Sequence, residues 1–323
     1  MAKRRILITG ASGEITRQLL PTFRDRYDLV LLDTRPSEHT NDIIDVDVSD
    51  PDIDKYREHF KGVDAIVHNV RSTKPGVKTN APRQWLKERS GSEPAEGYFV
   101  ERKSVDMAFN VLRLAMEENI RRVVITSSNH AADWYETKLH NGQLDTIGPE
   151  TYPLSDNFYG WAKATYEHLG FLFATGRLGH AVENVHVRVG APRPIRAADF
   201  DGDQVSYKRD LGGYISERDM RQLYTKAIEA EDIRNEDGIP FQVFYGVSNN
   251  TRGFWSIANA RKIIGYAPED DSEIEFGDEI RQHLTTNGRT MKRRRRPVSQ
   301  ASWRCLLTQD LSASTKCCCP DRR

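Results

Sequence analysis

The chain has 323 residues, 47 Lys and Arg against 47 Asp and Glu, and 38% apolar residues, enough for one large α/β domain or two small ones. No window approaches 18 consecutive apolar residues and the N-terminus runs straight into a short apolar strand, so neither a membrane span nor a secretory leader is expected and the protein reads as cytoplasmic. The even charge conceals an asymmetry: residues 285–323 hold ten basic and two acidic residues and all four cysteines, which leaves the body of the chain acidic and without any cysteine chemistry.

Short apolar runs at 4–10 (RRILITG), 28–33 (DLVLLD), 43–48 (IIDVDV), 65–70 (AIVHNV), 123–128 (VVITSS) and 185–190 (VHVRVG) are each closed by a polar or glycine turn and read as buried parallel strands. Helical spacing occupies 14–26, 51–60, 100–119 and 160–175, the third with Val105, Phe109, Leu112 and Met116 as its apolar stripe. This alternation predicts an α/β fold, a Rossmann-type doubly wound parallel sheet with right-handed crossovers. The polar stretch 71–98 is long for an internal connection and reads as a lid or a disordered loop.

After residue 190 a Pro/Gly-rich segment leads to a helix at 217–230, a strand at 241–247 and a helix at 254–264. The expected organisation is therefore a doubly wound domain over 1–190, a small C-terminal substrate-binding cap over 191–284 and a disordered basic tail over 285–323. The single basic run Lys292 to Arg296 lacks interleaved aromatics, so no nucleic-acid partner is expected.

Directly after the first strand stands Gly10-Ala11-Ser12-Gly13-Glu14-Ile15, followed by a helix. Glycines there let the backbone turn sharply and approach a pyrophosphate, whose charge the helix N-terminal amides hold. Twenty residues after Gly13, Asp33 ends the second strand, where a carboxylate accepts hydrogen bonds from an adenosine ribose and repels a 2′-phosphate. NAD is thus the expected cofactor, with Arg35 the nearby cation able to meet such a phosphate or stack on adenine. Asp47 and Val48 fall where an adenine ring would lie, although Asp47 is equally suited to capping a helix.

Two further clusters follow strand ends: Ser127-Ser128-Asn129-His130, and Tyr159-Gly160-Trp161-Ala162-Lys163 opening a helix. A Tyr and a Lys four apart share one helix face, so the ammonium is placed to lower the phenol's pKa and leave Tyr159 a base near neutral pH. Taken in this order, the glycine loop, the acidic residue, the serine and the Tyr/Lys pair resemble the extended short-chain dehydrogenase/reductase superfamily, the NAD-dependent epimerases and dehydratases. SSNH, YGWAK, VRVG and FYGVSNNTRGFWSIANARKIIGY are most similar to uronate dehydrogenases, over about residues 4–283.

The resemblance implies an NAD-dependent oxidoreductase that moves a hydride from a sugar acid, or a related polyhydroxylated substrate, to NAD. Ser128, Tyr159 and Lys163 would be catalytic, and Asn69 would join the cofactor residues named above. Thr73, Ser128, Asn129, His130, Tyr159 and Arg209 would meet the substrate, with Arg209 gripping its carboxylate. Arg193 or Arg196 could take that place, and Arg209 could instead pair with Asp210. No metal is expected; a homodimer is. The alternatives are a nucleotide-sugar epimerase or dehydratase with tightly bound NAD, and a non-catalytic NAD(P)-binding protein. Departures from the pattern are Thr16 at the third glycine position, expected to push the first helix outward, Arg71 where a small residue is usual, and Ser104 in place of an asparagine.

Overall fold

The computed structural model describes residues 3–75, 77 and 94–285. Seven strands, β1 (Arg5–Thr9), β2 (Asp28–Asp33), β3 (Ile43–Asp45), β4 (Ala65–His68), β5 (Arg122–Ser128), β6 (Glu183–Val189) and β7 (Phe241–Gly246), form one parallel sheet in the order β3-β2-β1-β4-β5-β6-β7. The order reverses between β1 and β4, and ligands of such sheets bind outside the strand ends at that reversal.

The helices are α1 (Glu14–Arg26), α2 (Pro94–Glu117), α3 (Glu136–His140), α4 (Phe158–Ala174), α5 (Gln204–Gly213), α6 (Glu217–Glu229) and α7 (Ala258–Ile264). One face of the sheet is covered by Leu19 and Phe23 of α1 and Leu223 and Tyr224 of α6; the other by Val111 and Leu112 of α2 and Ala162 and Tyr166 of α4. Burial on both faces is why the strands read as unbroken apolar runs.

Several expectations shift. The segment expected as a helix over 51–60 is two 3-10 turns, Ile53–Lys55 and Arg57–Phe60, and the break between them at Tyr56 (φ -131°) leaves Ile53, Tyr56 and Phe60 all buried. The helix α2 begins at Pro94, six residues early, with proline at the first turn where its missing N–H costs nothing. Its buried side is Met107, Ala108, Val111, Leu112 and Ala115, whereas Phe109 is 43% exposed and meets Phe173 at its edge. The strand expected within the cap instead joins the main sheet as β7. β3 stops at Asp45, ahead of Asp47 and Val48. Of the proposed lid, residues 76 and 78–93 lie outside the described residues, as does the tail beyond residue 285.

Candidate active site

At the end of β1 the backbone takes a left-handed turn at Gly10 (φ +73°), where a Cβ would sit 2.6 Å from the Val70 nitrogen. Only glycine fits. Gly13 donates its N–H to the Gly10 carbonyl (3.1 Å) and caps α1 without a side chain, so the first-turn amides of Glu14 and Ile15 remain for an anion. Asp33, 4% exposed, accepts from the Ser12 amide (3.1 Å) and hydroxyl (2.8 Å) and from the Arg35 amide (3.0 Å). A cleft of about 200 Å³ opens here, lined among others by Gly10, Asp33, Arg35, Asp47, Val48 and Thr73. Asp47 lines the cleft and accepts from the Ser49 amide (2.9 Å), but it caps no helix, since the next turn starts at Ile53 after Asp52. This uncapped helix end and glycine cradle fit the pyrophosphate and ribose of a dinucleotide.

Thr16 does not displace α1. It is fully buried, donates to the Gly10 carbonyl (2.9 Å) and accepts from Asn69 Nδ2 (2.9 Å), while Leu19 and Phe23 stay in the core. The Asn69 side chain is committed beneath the loop, to Thr16 and to the Thr126 hydroxyl. Ser104, also fully buried, accepts the Ser72 amide (2.9 Å) and so ties the chain after β4 to α2.

Ser128 ends β5, and the chain then turns tightly through Asn129–Tyr135. Asn157 caps α4 by accepting the Gly160 amide (2.9 Å), and a Cβ on Gly160 would lie 2.1 Å from the His130 carbonyl. That close approach brings the first turn of α4 against the end of β5. Tyr159 is thereby brought beside Ser128, and its ring lies 5.4 Å from that of His130. Lys163 Nζ lies 5.5 Å from the centre of the Tyr159 ring and donates to the Thr126 carbonyl (2.8 Å).

The electrostatics differ from the sequence expectation. Burial pushes the Tyr159 phenol up, and the groups opposing it are Arg71 and Ser128. Burial draws Lys163 down to about 7, with Glu101 raising it and Arg71 lowering it. The Arg71 guanidinium sits 4.9 Å from the Tyr159 ring centre, closer than Lys163.

Beyond His130 lies an ion cluster. His130 Nδ1 meets Asp133 Oδ2 (2.6 Å), which also accepts from Asn157 Nδ2 (2.8 Å). Of the three candidate arginines, Arg209 reaches this cluster, whereas the exposed Arg193 pairs with Asp210 and Arg196 is exposed. Arg209 bonds Glu136 through Nε (2.8 Å) and Asp210 through Nη1 (3.1 Å), so the expected Asp210 pairing is present. Sequence reading missed Asp133 and Glu136; their three-residue spacing just after SSNH, which puts both carboxylates on one side of a tight turn, was the available signal. Thr73 lines the dinucleotide cleft. Among the described residues no group of His, Cys, Asp and Glu could hold a metal ion, and no helix is long and apolar enough to cross a membrane.

Residues 6–173 match the NAD dependent epimerase/dehydratase family. The sequence is 29% identical over 290 residues to the NAD-dependent glucose-6-phosphate dehydrogenase of Haloferax volcanii, covering 85% of this chain and 97% of that one. It is 27% identical over 273 residues to the uronate dehydrogenase of Pseudomonas syringae pv. tomato, covering 84% and 83%. In fold it is similar to a uronate dehydrogenase variant of Agrobacterium tumefaciens in complex with NAD, with a TM-score of 0.63 at 23% identity over 88% of this chain and 89% of that one. The chain belongs to the NAD-dependent epimerase/dehydratase family, an enzyme of the dehydrogenase/epimerase type whose cofactor is NAD.

Proposed function

We propose that the protein is a sugar dehydrogenase that oxidises a free polyhydroxylated substrate at its anomeric carbon. One observation carries this reading: Ser128 at the end of β5 stands beside Tyr159 and opposes the rise of its pKa, with Lys163 one turn further along α4. Two hydroxyls so placed converge on one substrate oxygen. Ser128 orients it, and Tyr159 removes its proton as the C–H bond breaks. NAD, when bound, supplies the hydride acceptor. Lys163, buried between Thr126 and the two rings of Tyr159 and Tyr166, holds the cofactor ribose and Tyr159 in register. The turn from Gly10 to Gly13 lets the pyrophosphate approach, the Glu14 and Ile15 amides hold it, Asp33 holds the adenosine ribose, and Asp47 and Val48 border the adenine. Residues 191–284 supply the sugar side through Arg209.

The relatives support the reaction, since both are dehydrogenases by their printed names, one of glucose 6-phosphate and one of a uronate. We also infer a homodimer through α2 and α4, which expose Phe99, Phe109, Trp161, Phe171 and Leu172; a monomer in sedimentation equilibrium would remove that inference. Use of NAD suits the cytoplasm, where this cofactor circulates. The reaction is tested by following NADH when the protein and NAD meet a panel of free aldoses, hexuronates and UDP-sugars. NADH from a free sugar is expected. Epimerisation of a UDP-sugar without net NADH would overturn the reading in favour of an epimerase.

A further inference from the structure

Next to the Tyr159/Lys163 pair lies a carboxylate with no part in proton removal itself. Glu101 of α2 is fully buried, and three residues on, at a spacing that shares its helix face, Ser104 accepts the Ser72 amide (2.9 Å). One side of α2 therefore holds the chain that follows β4 twice. It holds the backbone at Ser72 and the side chain at Arg71, whose Nη1 lies 3.9 Å from Glu101 Oε1. The same guanidinium stands 4.9 Å from the centre of the Tyr159 ring.

Lys163 needs such a group. It is 3% exposed and donates to a neutral carbonyl, that of Thr126 (2.8 Å), and a buried cation is costly without an opposite charge. The titratable groups around it are His68 on β4, Arg71, Glu101 on α2, Tyr159 and Tyr166 on α4 and His186 on β6. Burial draws both histidines down to about 3 and pushes both phenols up, so at neutral pH these four are uncharged. Of the two charges that remain, Glu101 supports the ammonium more than Arg71 opposes it. At Tyr159 the order is reversed, and Arg71 favours the phenolate more than either Glu101 or Asp133 opposes it. A cation at the phenol and an anion at the ammonium favour the charged pair over the neutral one.

We infer that Glu101 is a positioning residue that holds Arg71 over Tyr159 and keeps Lys163 an ammonium, so that the two residues carry the charges that proton removal requires. This deepens the sugar dehydrogenase reading above and rests on its use of Tyr159 and Lys163. The charge of Lys163 is read without turnover, by carbon NMR of the full-length protein labelled at the lysine Cε, its signal assigned by its loss in Lys163→Met. Glu101→Gln keeps the size of the side chain and should lower the Lys163 midpoint by about one pH unit or more, whereas Arg71→Ala should raise it. A merely structural role for Glu101 would not produce shifts of opposite sign.

Turnover of a free sugar that yields NADH gives the second readout. Glu101→Gln should lower kcat by about 10-fold at neutral pH, with the KM for the sugar and the affinity for NAD changed by no more than about threefold, and Glu101→Asp should recover most of the loss. A Lys163 midpoint unmoved in Glu101→Gln, or an unchanged kcat in that variant, overturns the inference. Should the variant not fold, an unmoved midpoint in Arg71→Ala overturns it instead. Midpoints that move as expected in a protein that oxidises no sugar would overturn the dehydrogenase reading while leaving the action of Glu101 on Lys163 standing.

Discussion

The Arg71 guanidinium lies 4.9 Å from the centre of the Tyr159 ring, with Glu101 3.9 Å behind it. A cation over an aromatic face is attracted to the ring and favours a phenolate when the proton leaves. Arg71 is therefore the cation that opposes the rise of the Tyr159 pKa. Its removal is expected to raise the Tyr159 pKa. In the proposed mechanism Tyr159 works in its deprotonated form, so that activity rises with pH through that pKa, and the rising limb for Arg71→Ala should move to higher pH. An unmoved limb in kcat/KM against pH would show that Arg71 does not act on Tyr159.

Tyr159→Phe should lower kcat by about 10²-fold or more, the usual cost of removing a positioned base. The affinity for NAD should stay within a few-fold, since the glycine loop and Asp33 lie on other elements. Ser128→Ala should lose activity in the same direction, since Ser128 opposes the rise of the Tyr159 pKa. Stopped turnover with retained NAD binding, read by fluorescence titration, checks the division of labour. Unimpaired turnover in Tyr159→Phe would remove the proposed mechanism.

Much of this was legible before any coordinates, for a physical reason. Parallel strands buried on both faces must be apolar throughout, and so must announce themselves; α1 begins and ends where its pattern does, at Glu14 and Arg26. The glycine loop was legible because its geometry excludes other residues. Charge partnership was not legible. Arg209 is 73 residues from Glu136 and 76 from Asp133, and nothing in either segment alone says that they meet. The stripe of α2 misled for a related reason: Phe109 satisfies the helical period but faces outward beside Phe173, so periodicity named the helix without naming its buried side. Thr16 looked like a defect in the fingerprint, yet its hydroxyl serves as a strut between Gly10 and Asn69.

Asp33 has two separable jobs, holding the loop through the Ser12 amide and hydroxyl and presenting a negative charge in the cleft. Asp33→Asn keeps an oxygen acceptor while removing the charge, so the preference for NAD over NADP should relax by about 10-fold with NAD affinity little changed. Asp33→Ala loses both, and its NAD affinity should fall as well. The ratio of kcat/KM with NAD and NADP decides this; an unchanged ratio in both variants would mean that the carboxylate does not meet the ribose.

His186 gives a prediction about stability. It is fully buried on β6, neither ring nitrogen has a hydrogen-bond partner among the described residues, and a Cβ on Gly170 would lie 2.0 Å from its Nε2. Burial, reinforced by the charges of Arg188 and Lys163, depresses its pKa to about 3, and burial does the same to His68. The unfolded chain binds these protons near pH 6.5. The stability that comes from keeping the rings neutral is therefore complete above that pH and is lost as the pH falls from about 6.5 toward 3. His186→Leu removes one of the two protonation sites along with two unanswered nitrogens, which cost about 1–3 kcal/mol each when buried. The variant should be no less stable than the parent at pH 7.5, and its Tm should fall less on going to pH 5. Parallel thermal melts at the two pH values test this, and an equal fall in both proteins would mean that His186 is already solvated or partnered in the native state.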